Sequence, residues 1–198
     1  VSDARPVKVA VFAVAAVLVS PLWALAWIEQ RLGLGGQAFR LGAELLALAP
    51  GLPGAYLRAA YYAGTLERCS WETHIGFGSV FVRRAATVGR HASMGCYCVI
   101  GNADIGEGAM IGSRVSVPSG KRQHLGPDGR VSADEGHFDR VSIGAQAWIG
   151  EGAIVLADVG RSCIVAAGAV VTGPMPDGAL VGGNPARVLR AADGGEGG

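Results

Sequence analysis

Val141-Ser142-Ile143-Gly144-Ala145-Gln146-Ala147-Trp148-Ile149-Gly150-Glu151-Gly152-Ala153, followed shortly by Ile164-Val165-Ala166-Ala167-Gly168-Ala169-Val170-Val171-Thr172, decides the fold. In both stretches an aliphatic residue is followed by Gly or Ala, and four positions later comes another small residue. The unit is about six residues long, and such a fixed short period marks a repeat architecture. Backward, the aliphatic position recurs at Ile75, Phe81, Val88, Met94, Ile100, Ile105, Ile111 and Val117; forward, at Ile143, Ile149, Val155, Val159, Val165 and Val171. The companion column, four residues on, reads Ser79, Ala85, Ala92, Cys98, Asp104, Ala109, Val115, Ala147, Ala153, Val159, Cys163 and Ala169, nearly all of them small.

One large aliphatic and one small side chain per unit suit a narrow coil of three short flat sheets. The aliphatic residue fills the interior and the small one sits at the corner. A single rung leaves its faces bare, so rungs must stack. The register slips at Phe81 to Val88, Ile100 to Ile105 and Val155 to Val159, which are expected to be pinched or bulged rungs.

Formal charge is +1, which leaves no nucleic-acid footprint and no reason to expect such a partner. The four cysteines have neither zinc-ribbon nor redox spacing. Cys98 and Cys163 fall in the interior column and are expected to be inert buried thiols, and Cys96 points away from Cys98.

Three segments are expected: a helical membrane-associated region over 1–70, a solenoid over 71–173, and a C-terminal segment over 174–198. Val9–Ile28 is twenty residues without a charge, flanked by Arg5, Lys8, Glu29 and Arg31, with Trp23 and Trp27 near its end. That length suits a bilayer-crossing helix, and the tryptophans suit an interfacial belt. A secretory signal and a buried core helix are the rival readings. Pro21 would kink this helix. Two further apolar-biased helices flank the turn Pro50-Gly51-Leu52-Pro53-Gly54. They would lie at the membrane or cap the first rung.

Between Val117 and Val141 the repeat stops for the excursion 118–140, which carries His124 and His137, two of the four histidines, with Lys121 and Arg122. Long departures from a regular scaffold usually serve function. On these residues the chain resembles the hexapeptide-repeat acyltransferases, in particular the galactoside, colanic-acid and streptogramin O-acetyltransferases. The resemblance covers roughly residues 75–190. It rests on the looped-out histidine, Ile143-Gly144-x-x-Ala147-Trp148-Ile149-Gly150, Ala167-Gly168-Ala169-Val170-Val171-Thr172 and Gly183-Asn184-Pro185-Ala186-Arg187.

The resemblance implies an all-β solenoid, a left-handed parallel β-helix of hexapeptide repeats, assembled as a homotrimer with sites between subunits. It implies acyl transfer from acetyl-CoA, without a metal, to a hydroxyl of a sugar or lipid-linked glycan precursor. The cytosolic donor would place the solenoid on the cytoplasmic side of the inner membrane. The family's catalytic histidine precedes the isoleucine of the Trp-Ile-Gly coil by the interval that separates His124 from Ile143, whereas His137 stands six residues before it. An alcohol attacking a thioester must lose its proton at the moment of attack, and imidazole can take it and pass it to the leaving thiolate. His124 is the expected base, with His137 and His91 as alternatives.

Trp148 matches an indole lining the acceptor pocket, or serves a subunit contact. Gly150, Ala167 and Thr172 match positions along the pantetheine arm, and Arg187 matches the basic residue near the adenosine phosphates. Gly173 stands where the family commonly has Lys. Lys121 and Arg122 would meet an anionic acceptor or form a solvated edge. No chemistry is assigned to Glu72 and His74. Two other classes remain: a non-catalytic membrane-tethered scaffold, and a zinc hydratase of the gamma-carbonic-anhydrase type. The latter needs two histidines five apart on one face, and His91, His124 and His137 are spaced otherwise.

Overall fold

The structure is a computed structural model that describes residues 5–124, 130–131 and 137–192. The remaining parts of the three expected segments, at 1–4, 125–129, 132–136 and 193–198, lie outside the described residues. The chain winds into a β-solenoid of parallel strands with about six turns. The first face stacks β1 (Arg68–Cys69), β4 (Thr87–Val88), β7 (Ala103–Ile105) and β10 (Val141–Ile143), continued by bridges at Val159 and Met175. The second stacks β2 (His74–Ile75), β5 (Ser93–Met94), β8 (Met110–Ile111), β11 (Trp148–Ile149), β13 (Ile164–Val165) and β15 (Leu180–Gly183). The antiparallel strand β16 (Ala186–Arg190) closes that sheet. The third holds β3 (Val80–Phe81), β6 (Val99–Ile100), β9 (Ser116–Val117), β12 (Ile154–Val155) and β14 (Val170–Val171).

The aliphatic column is the core: Ile75, Ile100, Val117, Ile149, Val155 and Val171 are wholly buried. Cys98 and Cys163 are buried among them, and burial pushes both thiols up, so neither is a ready nucleophile. In the four rungs between the first and the last, two corners turn through a left-handed residue three positions after the aliphatic one. Glycines such as Gly78, Gly152 and Gly168 take this conformation, and so do His91, Tyr97, Arg114, Gln146 and Ser162. At the third corner, from the third face back to the first, the described residues take such a turn only at Gly120, where the excursion leaves β9. Every register slip falls there, and so does the excursion after Val117. A corner without a mandatory backbone turn tolerates extra or missing residues, which corrects two column assignments. Ala86, not Ala85, is interior, and Ala103 is interior while Asp104 points outward from β7.

The solenoid exceeds both boundaries expected for it. It begins with β1, before residue 71, and runs past 173 through β15 and β16. Among the described residues three helices precede it: α1 (Arg5–Arg31), continuous across Pro21, α2 (Gln37–Ala47) and α3 (Gly51–Thr65). The second and third sit on the first rung, which answers the question about that pair: they cap the solenoid. Arg58 is buried in this joint, with Nε donating to the Ile75 carbonyl at 2.9 Å and Nη1 to those of Leu46 and Ala49 at 3.0 and 2.7 Å. Tyr61 donates to the Phe39 carbonyl at 2.8 Å, and the Phe81 amide donates to the Tyr62 hydroxyl at 3.1 Å.

The first helix packs on α3 and α2 as an outer layer, and it reaches the solenoid at both ends. Phe12 meets Trp71 at 5.8 Å between ring centroids, and Arg84 Nη1 donates to the Ala26 carbonyl at 2.7 Å. Near its end Glu29 accepts from the amides of Ala38 (2.8 Å) and Phe39 (3.1 Å), capping α2, whose own N-cap Gly36 has no side chain to do so. Burial works to raise the Glu29 pKa, but these amides and Arg84 outweigh it and hold the carboxyl below the ordinary range. Glu29→Gln is therefore expected to cost about 1 kcal/mol. A carboxyl depressed in the folded state stabilises above its unfolded pKa, and that contribution fades as pH falls through the folded value. Denaturant titrations at neutral and strongly acidic pH check this, since the difference between wild type and variant should close only at the acidic end.

Candidate functional site

The excursion leaves β9 and returns to β10 at the variable corner, and its two described limbs are fastened together. The His137 amide donates to the Arg122 carbonyl at 3.3 Å, and Arg122 lies 3.5 Å from the Asp139 carboxylate. Phe138 stacks under the Arg83 guanidinium at 3.6 Å. Arg140 anchors the return, reaching the Glu67 carboxylate and Asp104 Oδ1, the latter at 3.3 Å. These contacts hold the base of the excursion while His124, Lys121, Arg122 and His137 remain exposed. Both loop histidines thus sit on the two limbs at one corner. His91 does not join them: it turns a corner between the first and second faces.

The other expected residues lie elsewhere on the prism. Trp148 projects from the second face, half exposed, in the outward column between Met110 and Ile164. That face is opposite the corner carrying the excursion, so the structure does not bring Trp148 and His124 together within one chain. Gly150 and Ala167 stack on successive rungs at the corner between the second and third faces. Thr172 follows β14 on the third face, and Arg187 lies exposed on β16, across from Gly182.

This corner carries small residues with open space beside them. Ala167 is exposed, and Gly152 and Gly168 have open space where side chains would stand. The Arg187 guanidinium, at the end of the same side, suits a phosphate. Gly150 itself is buried, and a Cβ there would come within 2.5 Å of the Ala167 amide nitrogen in the next rung. Gly150→Ala is expected to destabilise by about 1–3 kcal/mol through this overpacking. Alanine at the open Gly152 site meets only backbone strain, and thermal melts of the two variants separate the effects.

Sequence reasoning passed over one feature. Glu72 and His74, given no chemistry, line a cavity of about 490 Å³ with Arg5, Lys8, Tyr56, Trp71, Arg90 and His91. Glu72 bonds Arg90 at 3.0 Å, which with the nearby His91 and Arg5 charges holds its carboxyl low. The signal was dispersed, because the lining comes from the start of α1, the start of α3 and two successive rungs.

No family model matches the chain. The chain is 37% identical over 91 residues to the 2,3,4,5-tetrahydropyridine-2,6-dicarboxylate N-acetyltransferase of Staphylococcus aureus (strain Newman), a match covering 46% of this chain and 31% of that protein. It is 31% identical over 138 residues to the bifunctional protein GlmU of Jannaschia sp. (strain CCS1), covering 64% of this chain and 29% of that one. The chain thus spans about three-tenths of the length of these curated relatives. Among solved structures, a maltose O-acetyltransferase from Clostridium difficile 630 superposes with a TM-score of 0.66 at 18% identity, covering 78% of this chain and 85% of that one. A hexapeptide-repeat acetyltransferase from Vibrio cholerae O1 biovar eltor, solved with acetyl coenzyme A, superposes at 0.58 with 24% identity, covering 79% and 88%.

Proposed function

We propose, from the premise that the chain is a hexapeptide-repeat β-solenoid sharing its fold with acetyltransferases, that it transfers an acetyl group from acetyl-CoA to a hydroxyl of a sugar or lipid-linked glycan precursor. The observation that carries acyl transfer is the 37% identity over 91 residues with a named acetyltransferase, in a chain whose fold matches one solved with acetyl-CoA. The hydroxyl acceptor is supported by the fold match to a maltose O-acetyltransferase and by the exposed Trp148 indole, whose flat face suits a sugar ring.

The site is assembled between protomers of a trimer. Supporting this, the second and third faces expose apolar outward residues (Met110, Trp148, Val99, Ile154) that a neighbouring solenoid would cover. The described limbs of the excursion also stand at the corner remote from Trp148. In the assembled site Gly150, Ala167 and Thr172 line the pantetheine arm and Arg187 meets the adenosine phosphates. The His124 imidazole removes the acceptor hydroxyl proton as its oxygen bonds to the thioester carbon. The C–S bond then breaks and the imidazolium returns the proton to the CoA thiolate. Lys121 and Arg122 beside the base suit an anionic acceptor. With CoA in the cytosol, the solenoid works on the cytoplasmic side of the inner membrane.

The test is incubation of the purified chain with acetyl-CoA and a panel of free, nucleotide-linked and lipid-linked sugars, following free thiol release and product mass. A gain of one acetyl group on an oxygen, with stoichiometric CoA, is expected. CoA binding without transfer to any sugar, or transfer to amines alone, overturns the hydroxyl reading; no CoA binding overturns acyl transfer itself.

A further inference from the structure

The outer side of α1 carries no charged residue between Lys8 and Glu29. Its buried stripe is narrow, with Ala15, Val19 and Ala26 turned toward α3 and α2, while Val7, Val14, Val17 and Leu18 are more than half exposed. Ser20 in that span donates to the Val17 carbonyl at 2.8 Å, so its hydroxyl is satisfied within the helix. Length and composition alone would let this helix cross a bilayer. The packing argues otherwise, because Phe12 on Trp71 and the Ala26 carbonyl on Arg84 tie both halves of the helix to the capped end of the solenoid. A helix held sideways across a folded body presents one apolar flank to the interface.

Charge completes the picture. Exposed cations stand at the ends of the helical layer: Arg5 and Lys8 at one, Arg31 and Arg40 at the other. Glu44 is the exposed acid on these helices, since Glu29 is committed to capping α2. Arg5 and Lys8 also line the 490 Å³ cavity, together with Arg90, His74, His91 and Leu52, and Glu72 is its one carboxylate among the described residues. Trp71 and Tyr56 supply rings with one apolar side and one polar edge, the kind found at headgroup depth.

We propose that α1 lies flat in the surface of an anionic phospholipid bilayer, and that the cavity between the starts of α1 and α3 and the first two rungs receives a phosphate-bearing lipid headgroup. The surface is independent of the acyl-transfer reading, so its test does not use activity.

The full chain is floated with vesicles of phosphatidylcholine alone and of phosphatidylcholine with phosphatidylglycerol, beside Arg5→Gln/Lys8→Gln and Val14→Ser/Val17→Ser/Leu18→Ser variants. The charge variant is expected to lose about thirtyfold in affinity for the anionic vesicles, with little change on neutral ones. The apolar variant should lose both. Equal binding of wild type and charge variant to anionic vesicles overturns the headgroup site. Failure of the wild type to bind either vesicle, with copies associating through α1 instead, overturns the bilayer as occupant. In sealed vesicles, with Cys69 and Cys96 replaced by Ser, an impermeant thiol reagent should reach both Arg5→Cys and Gly35→Cys from outside; protection of one end shows a spanning helix and overturns the flat placement.

Discussion

His124→Ala is expected to lower acetyl transfer by about two to four orders of magnitude while leaving CoA affinity, subunit assembly and the folded spectrum unchanged. The expectation separates chemistry from binding. The imidazole is exposed on the outgoing limb of the excursion, whereas Gly150, Ala167 and Arg187, which would hold CoA, stand on other parts of the prism. Removing the side chain would therefore take away the proposed proton acceptor and little else. His137→Ala is the informative companion. Its backbone amide, not its ring, bonds the Arg122 carbonyl, so the limbs stay fastened in that variant. Steady-state rates with calorimetric CoA binding on both variants decide the matter. Normal turnover in His124→Ala with a collapse in His137→Ala moves the base to the returning limb. A loss of CoA affinity in step with turnover would mean that His124 binds rather than catalyses.

Arg58→Met should be the most damaging substitution for stability, at about 3 kcal/mol or more. The guanidinium is buried, and it satisfies the carbonyls of Ile75, Leu46 and Ala49, one on the first rung and two at the end of α2. Methionine fills similar space but donates nothing, so these oxygens are left without their donor away from water. For a chain of this size the cost corresponds to roughly 6–12 °C in melting temperature. Hydrogen exchange should show the loss concentrated in α2, α3 and the first rung, with the rungs from β10 onward protected as before. A uniform loss across the solenoid, or a melt within about a degree of wild type, would refute the role assigned to this joint.

Much of the solenoid was legible because its period is local. An aliphatic residue every six positions states which side chain points inward, and stacking supplies the rest. The column misled at Ala85 and Asp104, because at those two rungs the third corner lacks the left-handed residue that locks the count at the other corners. The excursion could be recognised for the same reason, as a break in an otherwise countable pattern. Its mate could not. That His124 and Trp148 lie on opposite sides of one prism depends on which corner carries the insertion, which only winding the chain reveals.

The amino-acid sequence alone determined the coil, its inert interior cysteines and the looped-out histidine, since each follows from spacing along one strand of residues. Tertiary structure alone decided that α2 and α3 cap the first rung, that the long apolar helix is strapped across that cap, and that Arg5, Lys8, Glu72, His74 and Arg90 share one cavity. Those groups come from segments far apart in the chain, and no periodicity connects them. Only the packing of helices onto a rung brings their charges into one space.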